Sequence, residues 1–166
     1  SNDSEVRFVS CNQSGQNNHN WNISKDGKVF TIESEHPQNP SSCDYMARTK
    51  YFNSKNFGDS KLAVKVMITK DKGTQLMDIG LVSRTSPGTF IQYYRAPFKN
   101  GDIVSYGFSK GTPRVRVNKK TIKGLITHFE PSQLVRINSH VAIAVKFTQI
   151  QGGNDVGCKI LKSSKY

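Results

Sequence analysis

Hydrophobic and polar residues alternate along much of the chain. The clearest run covers residues 62–68, where every second side chain is aliphatic. Segments 103–108, 114–118 and 141–147 share this period of two. Such a period turns one side of a strand towards a core and the other towards solvent, so these segments predict β-strands. No segment carries the apolar spacing of a long helix, and only residues 42–50 allow a single helical turn.

Shorter candidate strands and their turns indicate the architecture. The shorter strands are predicted at 6–9, 21–23, 28–32, 77–83, 89–94, 134–137 and 157–161. Turn sequences rich in Gly, Asn, Asp or Pro stand at 25–27, 71–73, 86–88, 99–101 and 152–154. Short strands with a turn roughly every 8–12 residues favour an antiparallel sandwich. We therefore predict an all-β, antiparallel two-sheet β-sandwich.

The predicted sandwich is one domain over residues 3–166. Residues 1–2 have the character of a cloning scar, and we expect the chain to be a monomeric domain of a larger protein. No apolar run approaches the roughly 20 residues of a membrane span. The strand registers predict these inward-facing core residues: Val64, Val66, Ile79, Leu81, Val104, Tyr106, Ile143 and Val145.

The net charge of +12 is concentrated in the second half of the chain. Residues 1–83 hold 10 basic and 9 acidic residues, whereas residues 84–166 hold 14 basic and 3 acidic ones. The predicted hairpin contributes a compact cationic patch of Arg114, Arg116, Lys119, Lys120 and Lys123. An anionic partner such as nucleic acid, a sulfated glycan or an acidic protein surface would suit this patch. The alternative is that the charge only keeps the protein soluble.

The sequence allows the hairpin to reverse at either of two positions. A reversal at Lys119–Lys120 places Arg116 opposite Lys123, where like charges destabilise a sheet. A reversal at Asn118–Lys119 shifts the partners by one residue.

Three cysteines stand at positions 11, 43 and 158, with no closely spaced pair. We interpret them as reduced, buried thiols of an intracellular protein, either cytoplasmic or nuclear. A single bridge from Cys11 to Cys43 or to Cys158 is the alternative, and secretion stays open.

Catalytic and metal-binding signatures are missing from the sequence. The spacing of its Cys and His residues fits no standard zinc site, so we expect no metal and no cofactor. The acids are too scattered to suggest a carboxylate pair, and His128 and His140 flank hydrophobic strands as structural histidines do. The chain is therefore predicted not to be an enzyme.

The segment 87–98 is the candidate binding surface. Alternation places Phe90, Gln92 and Tyr94 on one face of a strand, and Ile91, Tyr93 and Arg95 on the other. Both faces carry large and partly aromatic side chains, and Tyr and Arg are frequent at binding hot spots. We predict that Tyr93, Tyr94, Arg95 and Phe98 bind a partner. The alternative is a central strand buried on both sides, and the single Trp21 is expected in the core.

Several segments together resemble the SPRY domain family and, more distantly, the neuralized-type repeat. They are Trp21–Val29, Arg48 with Tyr51-Phe52, Leu62–Ile68, Asp78–Ser83, Phe98–Phe108 and Val115–Lys120. The resemblance implies a two-sheet sandwich that recognises peptides or protein surfaces through loops at one end.

The first functional hypothesis is accordingly a non-enzymatic module that binds a protein or peptide. The second is binding of nucleic acid or another polyanion through the basic second half. The third is a carbohydrate-binding, lectin-like sandwich, since lectins share this strand pattern.

Overall fold

The described part of the chain forms two antiparallel sheets. The computed structural model describes residues 6–11, 21–32, 43–56, 60–68, 76–109, 112–124, 126–127, 140–148 and 156–161. Its strands are β1 (Val9–Ser10), β2 (Trp21–Ile23), β3 (Val29–Ile32), β4 (Met46–Arg48), β5 (Phe52–Asn53), β6 (Lys61–Ile68), β7 (Leu76–Ser83), β8 (Ser86–Pro97), β9 (Ile103–Ser109), β10 (Thr112–Val117), β11 (Lys120–Ile122), β12 (Ile126–Thr127), β13 (His140–Thr148) and β14 (Val156–Ile160). The strand expected at 134–137 and the turns expected at 71–73 and 152–154 lie outside the described residues.

The first sheet has the order β1-β4-β13-β7-β8-β12, and β5 also pairs with β13. The second sheet has the order β11-β10-β9-β6-β14-β3-β2. The predicted all-β, antiparallel two-sheet sandwich is therefore confirmed. Residues 42–50, which allowed one helical turn, form a turn at 43–45 followed by the strand Met46–Arg48. Within the described ranges, no helix is long and apolar enough to cross a membrane.

The two sheets bury one hydrophobic core between them. All eight predicted core residues are buried in it, as is Trp21. A buried hydrogen bond also joins the sheets, because the Tyr106 hydroxyl in β9 donates to Gln92 Oε1 in β8 at 2.6 Å. Gln92 is thus a core residue whose polar group has a partner, as burial requires.

An irregularity between β7 and β8 changes which residues share a face. Gln92 pairs with Leu81, but Phe90 pairs with Val82, so Ile91 is an extra residue on β8. Phe90 therefore lies in a cluster on the outer side of the first sheet, while Gln92 faces the core. The prediction that Phe90 and Gln92 share a face is wrong, because a β-bulge resets the alternation.

The basic hairpin reverses at Asn118–Lys119. Both residues have positive φ, 52° and 71°, and Val117 pairs with Lys120. Consecutive positive φ values match the right-handed twist of a tight two-residue hairpin turn. Arg116 consequently faces Thr121, so an opposition of Arg116 and Lys123 does not occur.

Two of the three cysteines are joined. Cys11 and Cys43 form a disulfide, and Cys158 in β14 is a free, fully buried thiol. The expectation that all three are reduced is wrong, and of the two alternative bridges the structure contains Cys11–Cys43. Burial raises the pKa of the Cys158 thiol, which makes it unreactive in the folded protein.

Candidate anion site on the first sheet

The side of the first sheet that points away from the core, here called the first outer face, carries an unusual row of residues. Across neighbouring strands the row is formed by Arg48 in β4, Ala144 in β13, Gly80 in β7 and Tyr93 in β8. A Cβ atom at Gly80 would lie only 2.0 Å from the Gln92 carbonyl oxygen, so no larger residue fits there. Two small residues therefore lie between the large side chains of Arg48 and Tyr93, and the row continues to Val9 in β1 and Ile126 in β12.

A second, smaller cluster of apolar side chains packs on this face. Its buried members are Cys11, Met46, Val82, Phe90, Ala142 and Ala144, and the partly buried Cys43, Tyr51 and Tyr93 pack against them. The disulfide ties two members of the cluster together. Arg48 and Asp78 on the first outer face are buried, a setting in which electrostatic interactions are strong, whereas Arg95 is exposed.

Arg48 is the most unusual of these charged residues. Its side chain is only 5% exposed, and its guanidinium carbon lies 4.0 Å from the centre of the Tyr51 ring. Nη1 donates to the Thr49 carbonyl oxygen at 3.1 Å. Among the described residues, neither the buried Arg48 Nε nor the buried Tyr51 hydroxyl has a hydrogen-bond partner. Burial lowers the pKa of the Arg48 guanidinium, although Tyr51 opposes this effect.

A ligand could supply the hydrogen-bond partners that these two buried polar atoms lack among the described residues. A buried polar group without a partner costs about 1–3 kcal/mol, so such groups are uncommon in native structures. The planar guanidinium presents parallel N–H donors that match the two oxygens of a carboxylate. A carboxylate that reached this arrangement would find an unpartnered guanidinium donor and the Tyr51 hydroxyl, both of which are buried in the structure.

A neighbouring row supplies further charge. Lys146 in β13 pairs with Asp78 in β7, and Asp78 pairs with Arg95 in β8. Arg95 donates twice to the buried Asp78 carboxylate, from Nε at 2.7 Å and from Nη2 at 2.8 Å. The hydrogen bond with Asp78 raises the pKa of Arg95. Burial lowers the pKa of Lys146, an effect that Asp78 and Asp44 oppose.

Proton-transfer groups also belong to the first outer face. Tyr51 and Tyr93 pack within its cluster. His140 begins β13, and the alternation that turns Val141 into the core places His140 on this face, opposite Asn53. The described residues contain no group of three His, Cys, Asp or Glu side chains arranged to hold a metal ion. The side chains of this face can bind an anion, and its Tyr and His side chains can transfer protons.

The four residues predicted to bind a partner are divided between two sides of β8. Tyr93 lies on the first outer face, and so does Arg95, whose guanidinium is 5.5 Å from the Tyr93 ring centre. Tyr94 and Phe98 instead pack against the core between the sheets, where burial raises the pKa of Tyr94. The structure therefore does not bring the four residues together on one surface.

The five residues of the predicted cationic patch all lie on or next to the β10–β11 hairpin, but they are divided between its two sides. Arg114 and Arg116 occupy positions that alternate with the buried Val115, and so lie on the outer side of the second sheet. Lys119 is in the turn, Lys120 pairs with Val117, and Lys123 follows β11. All three lysines are exposed. Lys120 shares the side of Val117, so it lies across the hairpin from the two arginines.

Sequence reasoning did not single out Arg48, Tyr51, Asp78 or Lys146 as a functional group of residues. A faint signal existed, since Arg48 directly follows the apolar pair Met46-Ala47, and arginine is rarely fully buried. Its proximity to Lys146 could not be foreseen, because β4 and β13 are almost a hundred residues apart along the chain.

Comparison with known proteins finds similarity at the level of structure. No protein-family model matches the chain, and no curated protein matches it by sequence. Among solved structures, alginate lyase AlyC3 is 9% identical with a TM-score of 0.47, over 96% of this chain and 89% of that one. Alginate lyase A1-II′, a member of polysaccharide lyase family 7, is 13% identical with a TM-score of 0.44, over 93% and 90%. Alginate lyase AlgAT5 of the same family is 11% identical with a TM-score of 0.45, over 93% and 90%. At this level of similarity, the role of a residue in those lyases cannot be assigned to a residue of this chain.

These findings correct three expectations. The resemblance to SPRY domains is wrong, because the similar solved structures named above are alginate lyases. The motifs behind that resemblance are alternating strands and Gly-containing turns, which other antiparallel sandwiches also contain. The interpretation as a non-enzymatic module that binds a protein or peptide is overturned with it. So is the expectation that the chain is not an enzyme, since the similar structures are enzymes.

Proposed function

We propose that this protein acts on an acidic polysaccharide and binds a uronate carboxylate at Arg48 on the first outer face. The observation that carries the proposal is the buried Arg48–Tyr51 pair, in which Nε and the Tyr51 hydroxyl lack partners among the described residues. A carboxylate would complete the hydrogen bonding of both groups and neutralise a cation that burial disfavours.

The chemistry proposed for this site is β-elimination. When a cation neutralises the carboxylate of a uronate, the proton on the adjacent carbon becomes easier to remove. A base takes that proton, its electron pair forms the new carbon–carbon double bond, and the glycosidic carbon–oxygen bond breaks. The leaving oxygen receives a proton from an acid. Tyr51, Tyr93 and His140 are side chains of this face that can transfer protons.

The experiment measures the unsaturated product, which absorbs ultraviolet light, with alginate, polygalacturonate and hyaluronate as substrates. Neutral dextran is the control polysaccharide. We expect product from at least one polyuronate and none from dextran. Affinity electrophoresis in gels that contain each polysaccharide measures binding separately from cleavage.

Variants of Arg48 test its role. Arg48→Gln should lower kcat/KM by about 100-fold or more, a typical loss when one charge-stabilising donor is removed. Arg48→Lys keeps the charge but loses the planar fork, so it should retain an intermediate rate. Arg84→Gln, in the exposed turn between β7 and β8, is the matched control and should behave like the wild type. Absence of both binding and product with all three polyuronates would overturn the proposal.

A further inference from the structure

The outer side of the second sheet, here called the second outer face, collects basic residues from distant parts of the chain. On β6, β9 and β14 the buried core residues alternate with outward-facing positions. Five outward positions in this sheet are basic: Lys61, Lys65, Arg114, Arg116 and Lys159. The basic surface is thus larger than the hairpin and includes residues from the nearly neutral first half of the sequence.

The registers fix how these cations are arranged. Arg114 pairs with Gly107, and Gly107 pairs with Lys61. Arg116 lies two residues further along β10, and Lys65 pairs directly with Lys159. Three strand spacings and four residues of rise give a field of about 14 by 13 Å. Between the cations the face is low at Ala63, Ser105 and Gly107, whereas the exposed Ile103 on β9 stands directly beside Lys65.

The Lys65–Lys159 pair is the most informative part of this face. Both lysines are exposed, and they stand directly opposite each other on adjacent strands. Like charges in this position destabilise a sheet, and the pair is well within one Debye length at physiological salt. At the described positions of the second outer face there is no carboxylate on these strands. The nearby Asp102 is engaged with the Lys99 amide and the Asn118 side chain.

We propose that the second outer face binds a linear anionic polysaccharide, with its carboxylate or sulfate groups set between these cations. Charge complementarity supports this occupant, because a bound anion would offset the repulsion between Lys65 and Lys159. The low positions between the cations leave room for an extended sugar chain. Single-stranded nucleic acid suits the face less, since the described outward positions of β6, β9, β10 and β14 hold no aromatic side chain on which a base could stack. Duplex DNA would contact the face through its phosphates alone, and it is therefore the competitor in the test.

This second site is independent of the proposed function. It lies on the opposite sheet from Arg48, across the whole core of the sandwich. The second outer face can therefore bind a polysaccharide whether or not the first outer face cleaves it. An Arg48→Gln variant should keep this second binding activity, which separates the failure of one proposal from the failure of the other.

The test compares two double variants in the Arg48→Gln background. Lys65→Gln with Lys159→Gln removes charge from the second outer face, and Lys25→Gln with Arg84→Gln removes the same charge from exposed turns. The probes are a heparin oligosaccharide, a polygalacturonate oligosaccharide and a duplex DNA of equal length, titrated at several salt concentrations. Affinity is measured by calorimetry, and Tm is measured with and without each probe.

We expect the Lys65/Lys159 variant to bind at least one of the two oligosaccharides about 10-fold more weakly than the control variant. The slope of log affinity against log salt should flatten by about one to two units, because two ion contacts are lost. Its Tm without a probe should equal or exceed that of the control, since a repulsive pair is gone. Equal oligosaccharide affinity in the two variants, or tighter binding of the DNA than of either oligosaccharide, overturns the proposal.

Discussion

The two outer faces of the sandwich are both cationic, but they hold their charges in opposite ways. On the first outer face, Arg48 is buried against Tyr51. Asp78 is also buried there, and its carboxylate accepts two hydrogen bonds from Arg95. On the second outer face, Lys65 and Lys159 are exposed and face each other across adjacent strands. The first face is also covered by a small apolar cluster that includes the disulfide.

This difference separates two kinds of anion binding. A desolvated guanidinium offers a strong, directional contact for one carboxylate, and dissolved salt weakens it little. A field of exposed lysines offers weak, additive contacts along a chain, and salt weakens each of them. The first arrangement suits selection of a single group for chemistry, and the second suits retention of a long polymer.

The largest expected difference concerns the disulfide that covers the first outer face. Replacement of both Cys11 and Cys43 with Ser should lower the free energy of unfolding by about 3–4 kcal/mol, because the bridge closes a loop of roughly thirty residues. Urea unfolding followed by circular dichroism measures the change. Cys158 is an internal control, since its buried thiol should react with a maleimide only after unfolding. A loss below about 1 kcal/mol would show that the bridge does not constrain this face.

Matched alanines test whether the faces differ in packing. Ala144 is fully buried on the first outer face, whereas Ala63 is partly exposed on the second. Ala144→Gln should cost about 2–3 kcal/mol, because a longer polar side chain must be forced into a packed cluster. Ala63→Gln should change stability by less than about 0.5 kcal/mol. The same unfolding measurement checks both, and equal costs would mean that the first outer face is not closed.

Matched arginines test the importance of the buried carboxylate. Arg95→Gln removes both hydrogen bonds to Asp78 and should cost about 1–2 kcal/mol, a figure reduced because Arg95 itself is partly exposed. Arg114→Gln on the second outer face should change stability by less than about 0.5 kcal/mol. Thermal unfolding compares the two variants. If Arg95→Gln is as stable as Arg114→Gln, then Asp78 is satisfied by other groups.

The contrast between the faces also explains what the sequence could predict. Period-two alternation was sufficient to predict the sandwich and core residues such as Val66 and Ile143. A strand that buries one face needs an apolar residue at every second position, and this pattern is visible in the sequence. The same alternation fails at Phe90, where a bulge adds Ile91, a residue with no Gly or Pro directly beside it. Local rules therefore describe strands well and describe their irregularities poorly.

The candidate site was beyond reach for a different reason. Arg48 and Lys146 come together only because β4 pairs with β13, and a pairing over that distance has no local signature. The hairpin patch was accessible, since Arg114 to Lys123 is one continuous segment. Its extension to Lys65 and Lys159 was not, because it depends on β14 joining the second sheet beside β6.

The smallest expected effect is the response of stability to salt. Repulsion between Lys65 and Lys159 should be partly screened as the salt concentration rises from about 0.05 to 0.5 M, because the Debye length falls from about 14 Å to about 4 Å, slightly below the roughly 5 Å between directly opposed side chains. Removing a few tenths of a kcal/mol of repulsion should raise Tm by about 1 °C for a domain of this size. Lys159→Gln should abolish most of this rise, whereas Lys55→Gln, an exposed lysine on the first sheet's side, should leave it intact. Differential scanning calorimetry resolves such shifts. A salt response of equal size in both variants would mean that the charge of the whole protein, and not the opposed pair on the second outer face, determines it.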